Sequence, residues 1–441
     1  MTIAMKFGGS SLKNAERIRN VAGIIKSRLD RNPKVVVSAV GGITDKLIES
    51  ADAAKTGESP DEHLSLIRDR HKEILKELEL DETLVDDLLN EFKELIGKIK
   101  SEKQADIQTM DVVQSFGERM SSRIVAAHLT KTGTPAKACF AWDIGMITND
   151  NFADAEPLDS SYELMKEKLA EIKEIPIITG FIGKTKDGVI TTMGRGGSDF
   201  TATIIGIVSD SEEIQIWTDV DGIMSADPKV VKNARTMPEV SFAEASELAY
   251  FGARVLHPKT ILPAMRKNIP VRVLNTYNPE GTGTVILSKV GKSKETIKAI
   301  ACKKNIIVMN IASSRMLNAR GFLAKIFETF AKYDKAVDMV ATSEVSVSVT
   351  VDKDEGIEKI KKKLDKIAHV TIEKDKAIVC VVGEGMSSTP GIAGNIFTAL
   401  GKGKINVEMI SQGASEINVG IIIDNKDADK VVQVLHEEVF G

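Results

Sequence analysis

At 441 residues the chain is too long for a single core and implies two to four domains; 42% hydrophobic and 28% charged residues describe a globular protein that can bury a sizeable interior. A net charge of −4 argues against a nucleic-acid partner. No apolar run reaches membrane-spanning length, and the start Ile3-Ala4-Met5 is interrupted by Lys6 and glycines before a signal core forms, so a cytoplasmic protein is expected.

In chain order, Ile3 to Phe7 reads as a buried strand, followed by Gly8-Gly9-Ser10-Ser11 and a helix with Ile18, Val21, Ala22, Ile25 and Leu29 on its apolar face. Lys34 to Val40 is a second strand, closed by Gly41-Gly42, with Thr44 or Asp45 starting the next helix. Continuous β-branched runs alternating with helices predict a mainly parallel sheet covered on both faces. From about 60 to 100 the chain is charge-rich with helical apolar spacing, which predicts an inserted helical hairpin. A helical region follows from about Ala105 to Lys131, interrupted at Gly117-Glu118-Arg119. Strands recur at Ala136–Phe140, Ile175–Phe181, Val189–Met193, Glu213–Trp217 and Val271–Asn275, with a helix around Phe242–Phe251 and an edge segment near Thr284–Leu287. Cys139, Cys302 and Cys380 lie far apart without metal spacing and read as reduced, buried thiols.

One stretch organises the rest: Gly194-Arg195-Gly196-Gly197-Ser198-Asp199, running into Ile204-Ile205-Gly206-Ile207-Val208. Glycines aimed into a helix start, with Ser198 or Asp199 as the cap, gather N–H donors and the positive end of a helix dipole into an anion site. Lys6 with Gly8 and Gly9, Ser38 with Gly41-Gly42, and Arg195 with its glycines fall at predicted ends of parallel strands, the edge where open α/β sheets bind ligands. Gly183-Lys184-Thr185 imitates a P-loop tail, but Ile178 stands where the first glycine belongs, so it is set aside.

After Lys289 a lysine-rich linker leads to an internal repeat. Gly321, Ile326, Phe327, Val337 and Met339 recur as Gly391, Ile396, Phe397, Val407 and Met409. Each copy predicts a small ferredoxin-like βαββαβ module.

Lys6-Phe7-Gly8-Gly9-Ser10-Ser11, Val37-Ser38-Ala39, Gly42-Ile43-Thr44, Phe116-Gly117-Glu118-Arg119, Gly180-Phe181-Ile182-Gly183, Gly194 to Asp199 and Trp217-Thr218-Asp219-Val220-Asp221-Gly222 together resemble the aspartate kinases of the amino acid kinase superfamily. The tail resembles that family's paired ACT modules. The resemblance implies an α/β/α kinase domain over 1–290 with its helical insertion, then ACT modules over 296–371 and 372–441, with strand 296–302 interleaved into the second. It implies transfer of the ATP γ-phosphoryl group to the β-carboxylate of L-aspartate, with Mg²⁺ riding on the phosphates. No protein ligand for the metal is named.

Residue by residue, the resemblance puts Lys6, Gly8, Gly9 and Asp199 at the reacting groups. It puts Ser38, Thr44, Glu118, Phe181, Arg195 and Ser198 at the amino acid, Arg195 clamping the α-carboxylate and Glu118 the ammonium. By itself, a helix-surface ion pair with Arg119 or Arg123 is the better reading of Glu118. Lys6, Thr218, Asp219, Met224, Lys229 and Arg254 match ATP positions, although the form best known has tyrosine, arginine and lysine at the last three. Met316, Ala319, Gly321, Phe322, Leu323, Asp338, Ser343 and Glu344 match the effector segments of lysine-inhibited members, with Ala319 replacing a serine. Lysine is the first expected effector and threonine the second. A homodimer through the ACT modules is implied, with a tetramer as the larger assembly. The chain ends without a dinucleotide-binding fingerprint, so a monofunctional kinase is expected. The rivals are another amino acid kinase of the superfamily and a catalytically dead amino-acid sensor.

Overall fold

The structure is a computed structural model that describes residues 1–251, 256, 258–290, 296–316, 320–352, 354–413 and 417–441. Strands β1 (Ile3–Phe7) and β2 (Pro33–Val37) are apolar and almost wholly buried, as a sheet covered on both faces requires. Helix α1 (Ala15–Lys26) connects them, capped by the Asn14 side chain on Arg17 N–H. Next come α2 (Ile43–Thr56), the hairpin α3 (Asp61–Glu77) and α4 (Asp86–Glu102), and α5 (Ile107–Lys131). The hairpin buries Ile67, Ile74, Leu75, Leu88, Phe92 and Ile96 in one core with α2 and α5, and the Phe92 and Phe116 rings meet at 5.2 Å.

The chain continues through β3 (Ala136–Cys139), α6 (Asp159–Glu171), β4 (Ile175–Thr179), the ribbon β5 (Ile182–Lys184) and β6 (Ile190–Thr192), α7 (Gly197–Val208) and β7 (Glu213–Thr218). Then follow β8 (Glu239–Ser241), α8 (Phe242–Tyr250), α9 (Pro258–Lys267), β9 (Val271–Asn275) and β10 (Thr284–Leu287). The main sheet has the order β3-β4-β2-β1-β7-β9-β10-β8. It is parallel from β3 to β9, with β10 antiparallel to β9. Phe7 pairs with Val37 and Trp217, and Val37 with Thr179, so the loops leaving β1, β2, β4 and β7 emerge at one edge. Because β2 and β7 flank β1 on opposite sides, that edge holds the topological switch point where such sheets bind ligands.

Four expectations are corrected. Helix α5 runs unbroken through Gly117. A Cβ there would stand 2.5 Å from the Ala39 Cβ, so this glycine marks close packing of α5 on the β2–α2 loop rather than a break. Neither Ser198 nor Asp199 caps α7, and neither Thr44 nor Asp45 starts α2 as its cap. The caps are Gly196 and Gly42, at φ 75° and 82°. The third glycine group follows β6, a strand of the separate antiparallel ribbon, and not a parallel strand of the main sheet. Helices α6 and α9 carried no expectation: one is charge-rich and the other contains Pro263.

Contacts divide the chain into two units. The first is Met1–Ile223, Pro238–Phe242 and Val255–Lys289, and the second is Met224–Met237, Ala243–Arg254 and Val290–Gly441. The boundary is therefore not a single cut near 290. In the second unit β11 (Ala299–Ala312), α10 (Phe322–Lys332), β12 (Val340–Thr342), β13 (Ser346–Val351), α11 (Ile357–Leu364), β14 (His369–Val382), α12 (Ile392–Lys402), β15 (Met409–Ser411), β16 (Asn418–Asp424) and α13 (Ala428–Phe440) build a six-stranded sheet ordered β12-β13-β11-β14-β16-β15. Its central pair is shared between the repeats. Ala299–Lys304 pairs with Ala377–Val382, the part of β14 that also pairs with β16, while Ile307–Ala312 lies beside β13. One core gathers Ile326, Phe330 and Ile360, the other Ile396, Leu400 and Val431.

Candidate active site

Four groups of the first unit line a cleft of about 360 Å³: Lys6 and Gly9 from the end of β1, Ser38 to Gly42 from the β2–α2 turn with Thr44 of α2, Phe181 after β4, and Gly194 with Gly196 to Asp199 at the start of α7. Glu118 of α5 and Asp45 complete the lining. The Lys6 ammonium stands 2.6 Å from the Asp199 carboxylate, a charge contact that is not aligned as a hydrogen bond. Each side chain is about one-eighth exposed, so the pair sits where water weakens it less than at a surface.

Glu118 is the cleft acid without a charge partner. It is 3% exposed; Oε1 accepts the Ala39 N–H at 3.0 Å, and Oε2 has no partner. Burial pushes its carboxyl up to about 8, against the smaller opposing pull of that N–H. The helix-surface ion pair that a lone reading favours is absent. Arg119 makes a two-pronged contact with Glu91, at 3.0 and 2.6 Å, and Arg123 is held by Asp87 at 2.6 and 2.8 Å.

The α7 start is placed by a residue the sequence did not single out. Asp111 of α5 is fully buried; Oδ2 accepts the N–H groups of Thr192 and Ala153 at 2.8 and 3.0 Å, and Oδ1 accepts the Thr192 hydroxyl at 2.7 Å. It ties β6 and the 153 loop to α5 immediately before Gly194. An aspartate in an apolar helix face was the available signal. Phe181 was named as a lining residue, but its backbone strain was not foreseen: φ is 69°, unusual for a bulky side chain. Its N–H donates to Thr201 Oγ1 at 3.0 Å and its carbonyl accepts Met193 N–H at 2.8 Å, so both neighbours hold the strained peptide.

Arg195 is exposed, between two lining glycines, and is not itself among the lining residues. Gly8 donates to the Trp217 carbonyl at 3.3 Å, joining the end of β1 to the end of β7. There Thr218 and Asp219 stand side by side, their side chains 3.2 Å apart. Met224 and Lys229 belong to the Met224–Met237 segment of the second unit, where Met224 Sδ accepts the Thr236 hydroxyl and Lys229 is exposed. Arg254 lies outside the described residues, as does Ala319.

Of the effector candidates, Met316 ends the turn after β11, and Gly321, Phe322 and Leu323 start α10. Ser343 and Glu344 form the turn between β12 and β13, and Ser313 N–H donates to the Val345 carbonyl at 2.8 Å, bringing that turn to the end of β11. Asp338, directly before β12, is already engaged. Its Oδ1 accepts the Tyr250 hydroxyl at 2.5 Å, and its Oδ2 stands 3.2 Å from the Lys303 ammonium, which also contacts Asp352 at 2.5 Å.

Residues 1–275 match the model of the amino acid kinase family, and 309–361 with 379–439 match that of the ACT domain. The chain is 40% identical to aspartokinase 1 of the Arabidopsis thaliana chloroplast, over 100% of this chain and 80% of that one. Two crystal structures of E. coli aspartokinase III superpose along its whole length, covering 100% of each chain. The form in complex with aspartate and ADP gives a TM-score of 0.86 at 33% identity, and the form with lysine and aspartate 0.82 at 32%. Among the described residues, no helix is long and apolar enough to cross a membrane.

Proposed function

The chain belongs to the aspartokinases of the amino acid kinase family and is an ATP-dependent aspartate kinase, and from that premise we propose how its own residues carry the reaction. The β-carboxylate of L-aspartate is ionised at neutral pH and needs no general base; the task is to bring it against an anionic triphosphate. Lys6 and the Gly8-Gly9 amides hold the transferring phosphoryl oxygens, with Asp199 fixing the Lys6 ammonium in the cleft. Glu118 receives the substrate ammonium, Arg195 and Ser198 receive its α-carboxylate, and Thr44, Phe181 and Ser38 complete the pocket.

The observation that carries this reading is the unpartnered oxygen of Glu118, a buried residue that lines the same cleft as Lys6. Thr218 and Asp219 take the nucleotide beside β1, while Met224, Lys229 and Arg254 remain assigned to ATP by family resemblance alone. A bound Mg²⁺ would ride on the phosphates and would supply charge neutralisation there.

For the second unit we propose feedback by lysine, with threonine as the alternative effector, at the α10 start and the 343–344 turn. The complex of the E. coli relative with lysine supports this choice. Assembly is proposed as a homodimer through modules 296–371 and 372–441. Exposed Leu323, Val345 and Ile410 offer apolar surface for it. ATP turnover with L-aspartate in hydroxylamine, which traps the acyl phosphate as a hydroxamate, tests the cleft: absence of hydroxamate overturns the assignment of roles. Unchanged turnover on adding lysine or threonine overturns the feedback reading alone.

A further inference from the structure

Glu118 poses a question that its role as an ammonium acceptor does not answer: in what charge state does it wait? None of the charged groups that line the cleft or flank Glu118 on α5 is free to pair with it, and Arg195, on the loop before α7, is exposed and outside the lining. On α5, Arg119 and Arg123 are committed to Glu91 and Asp87 of α4, and Asp111 is committed to Thr192 and Ala153. Across the cleft, Lys6 of β1 is paired with Asp199 of α7, and the remaining charged lining group, Asp45 of α2, is another acid. The β2–α2 turn contributes one neutral donor, the Ala39 N–H. A carboxylate with one N–H bond and a second oxygen withdrawn from water is unfavourable, whereas the protonated acid in the same place is not. The position near 8 to which burial brings the group agrees with that geometry.

We propose that L-aspartate enters this cleft with release of a proton, its ammonium taking the place of the proton that the Glu118 carboxyl carries while the cleft is empty. The inference rests on the reading of Glu118 as the ammonium ligand. The O–H bond of the Glu118 acid breaks, the proton passes to solvent, and Oε2 accepts an N–H of the substrate ammonium, which keeps all its own protons. The charge brought by the substrate ammonium is offset by the proton that leaves. Two consequences follow. Aspartate affinity rises with pH, by about tenfold per unit on the acid side of the Glu118 titration. A dicarboxylate lacking the ammonium leaves Glu118 protonated and loses this contribution, so the site selects a zwitterion.

The test is calorimetric titration of L-aspartate into the full-length protein, with ADP present, in buffers of different ionisation enthalpy at pH 6.5 and 8.5. The slope of observed heat against buffer enthalpy counts the protons. Release of about one proton at pH 6.5 and less than half at pH 8.5 is expected. Glu118→Gln is expected to bind at least tenfold more weakly, with release abolished. No release in the wild type at pH 6.5, or the same release in Glu118→Gln, overturns the inference. If Glu118→Gln binds as tightly as the wild type, the ammonium reading falls and the inference with it. If binding weakens but the wild type releases nothing, the reading stands and the inference alone falls. Should the variant fail to fold, the wild-type pair of pH values decides, because release that does not decline by pH 8.5 overturns it.

Discussion

Glu118 in the first unit is buried and Asp338 in the second has a buried side chain on a partly exposed residue; burial pushes both carboxyls upward, Glu118 to about 8, and the neighbouring Asp352 adds to the rise of Asp338. Yet one is left incomplete and the other is completed by its own chain. Glu118, which lines the cleft, has one backbone N–H and an unpartnered oxygen; Asp338 has the Tyr250 hydroxyl on one oxygen and the Lys303 ammonium near the other. Lys303 also lies 5.2 Å from the Tyr250 ring centroid, so that corner is filled by a cation, an aromatic face and two acids. A buried carboxyl kept without a charge partner is costly to the fold and useful to a ligand. One that has a partner helps hold the second unit together. The same kind of group is therefore left with an unpartnered oxygen in one place and held by a hydroxyl and an ammonium in the other.

The largest effect expected is on the reacting side. Lys6→Ala should lower kcat/KM by roughly 10²–10³, as loss of one donor to a developing charge does elsewhere, with the circular dichroism spectrum unchanged. If Lys6→Ala loses less than tenfold in steady-state assays, Lys6 serves Asp199 and not the phosphoryl group. The comparison sharpens with Lys303→Met in the second unit. It leaves two neighbouring acids facing each other beneath Tyr250, and should cost about 2–3 kcal/mol of unfolding free energy at pH 7. That cost should shrink at pH 5, because burial and the neighbouring Asp352 raise the Asp338 carboxyl and a proton on it relieves the repulsion between the two acids. Urea unfolding at the two pH values reads it; equal losses at both would mean that packing of the lysine stem, not charge, holds the joint.

Much of this was legible in the residues. The β-branched runs of β1 and β2, the hairpin spacing from 60 to 100 and the repeat from Gly321 to Met409 led to the sheet, the insertion and the paired modules, because burial periodicity is local and survives in sequence. What escaped was set by contact across the chain. Gly117 looked like a helix break because sequence does not show that Ala39 leaves no room for a Cβ. Asp111 looked unremarkable because its partners, Thr192 and Ala153, are 81 and 42 positions away. The contacts of Asp338 with Lys303 and Tyr250 were not legible either, since those partners are 35 and 88 positions away. Conversely, Glu118 looked like a surface ion-pair residue until Arg119 and Arg123 were seen paired to another helix.

Arg195 tests whether the incomplete side of the molecule extends to the second charge of the substrate. It stands exposed between glycines at φ 69° and 75°, a backbone that lets the loop turn but does not pin the guanidinium. Arg195→Ala should raise KM for L-aspartate about tenfold while KM for ATP changes less than twofold, the pattern of a lost carboxylate clamp. Equal rises for both substrates would remove Arg195 from the amino acid and return it to the nucleotide.

The smallest effect is the most diagnostic of the contrast, because it appears without any substrate. A carboxyl whose folded position is near 8 and whose unfolded value is the ordinary 4.5 binds more protons folded than unfolded between those limits. Stability must then fall as pH rises through that window and level off above it. Glu118→Gln keeps an acceptor for the Ala39 N–H and removes the titration. The ligand-free variant should therefore melt close to the wild type near pH 5 and a few degrees above it at pH 8. Saturating L-aspartate with ADP should reverse that order at pH 8, since only the wild type gains the ammonium contact. A variant whose melting tracks the wild type at every pH would mean that Glu118 is already charged in the empty cleft, and the two carboxyls would then differ in partners but not in kind.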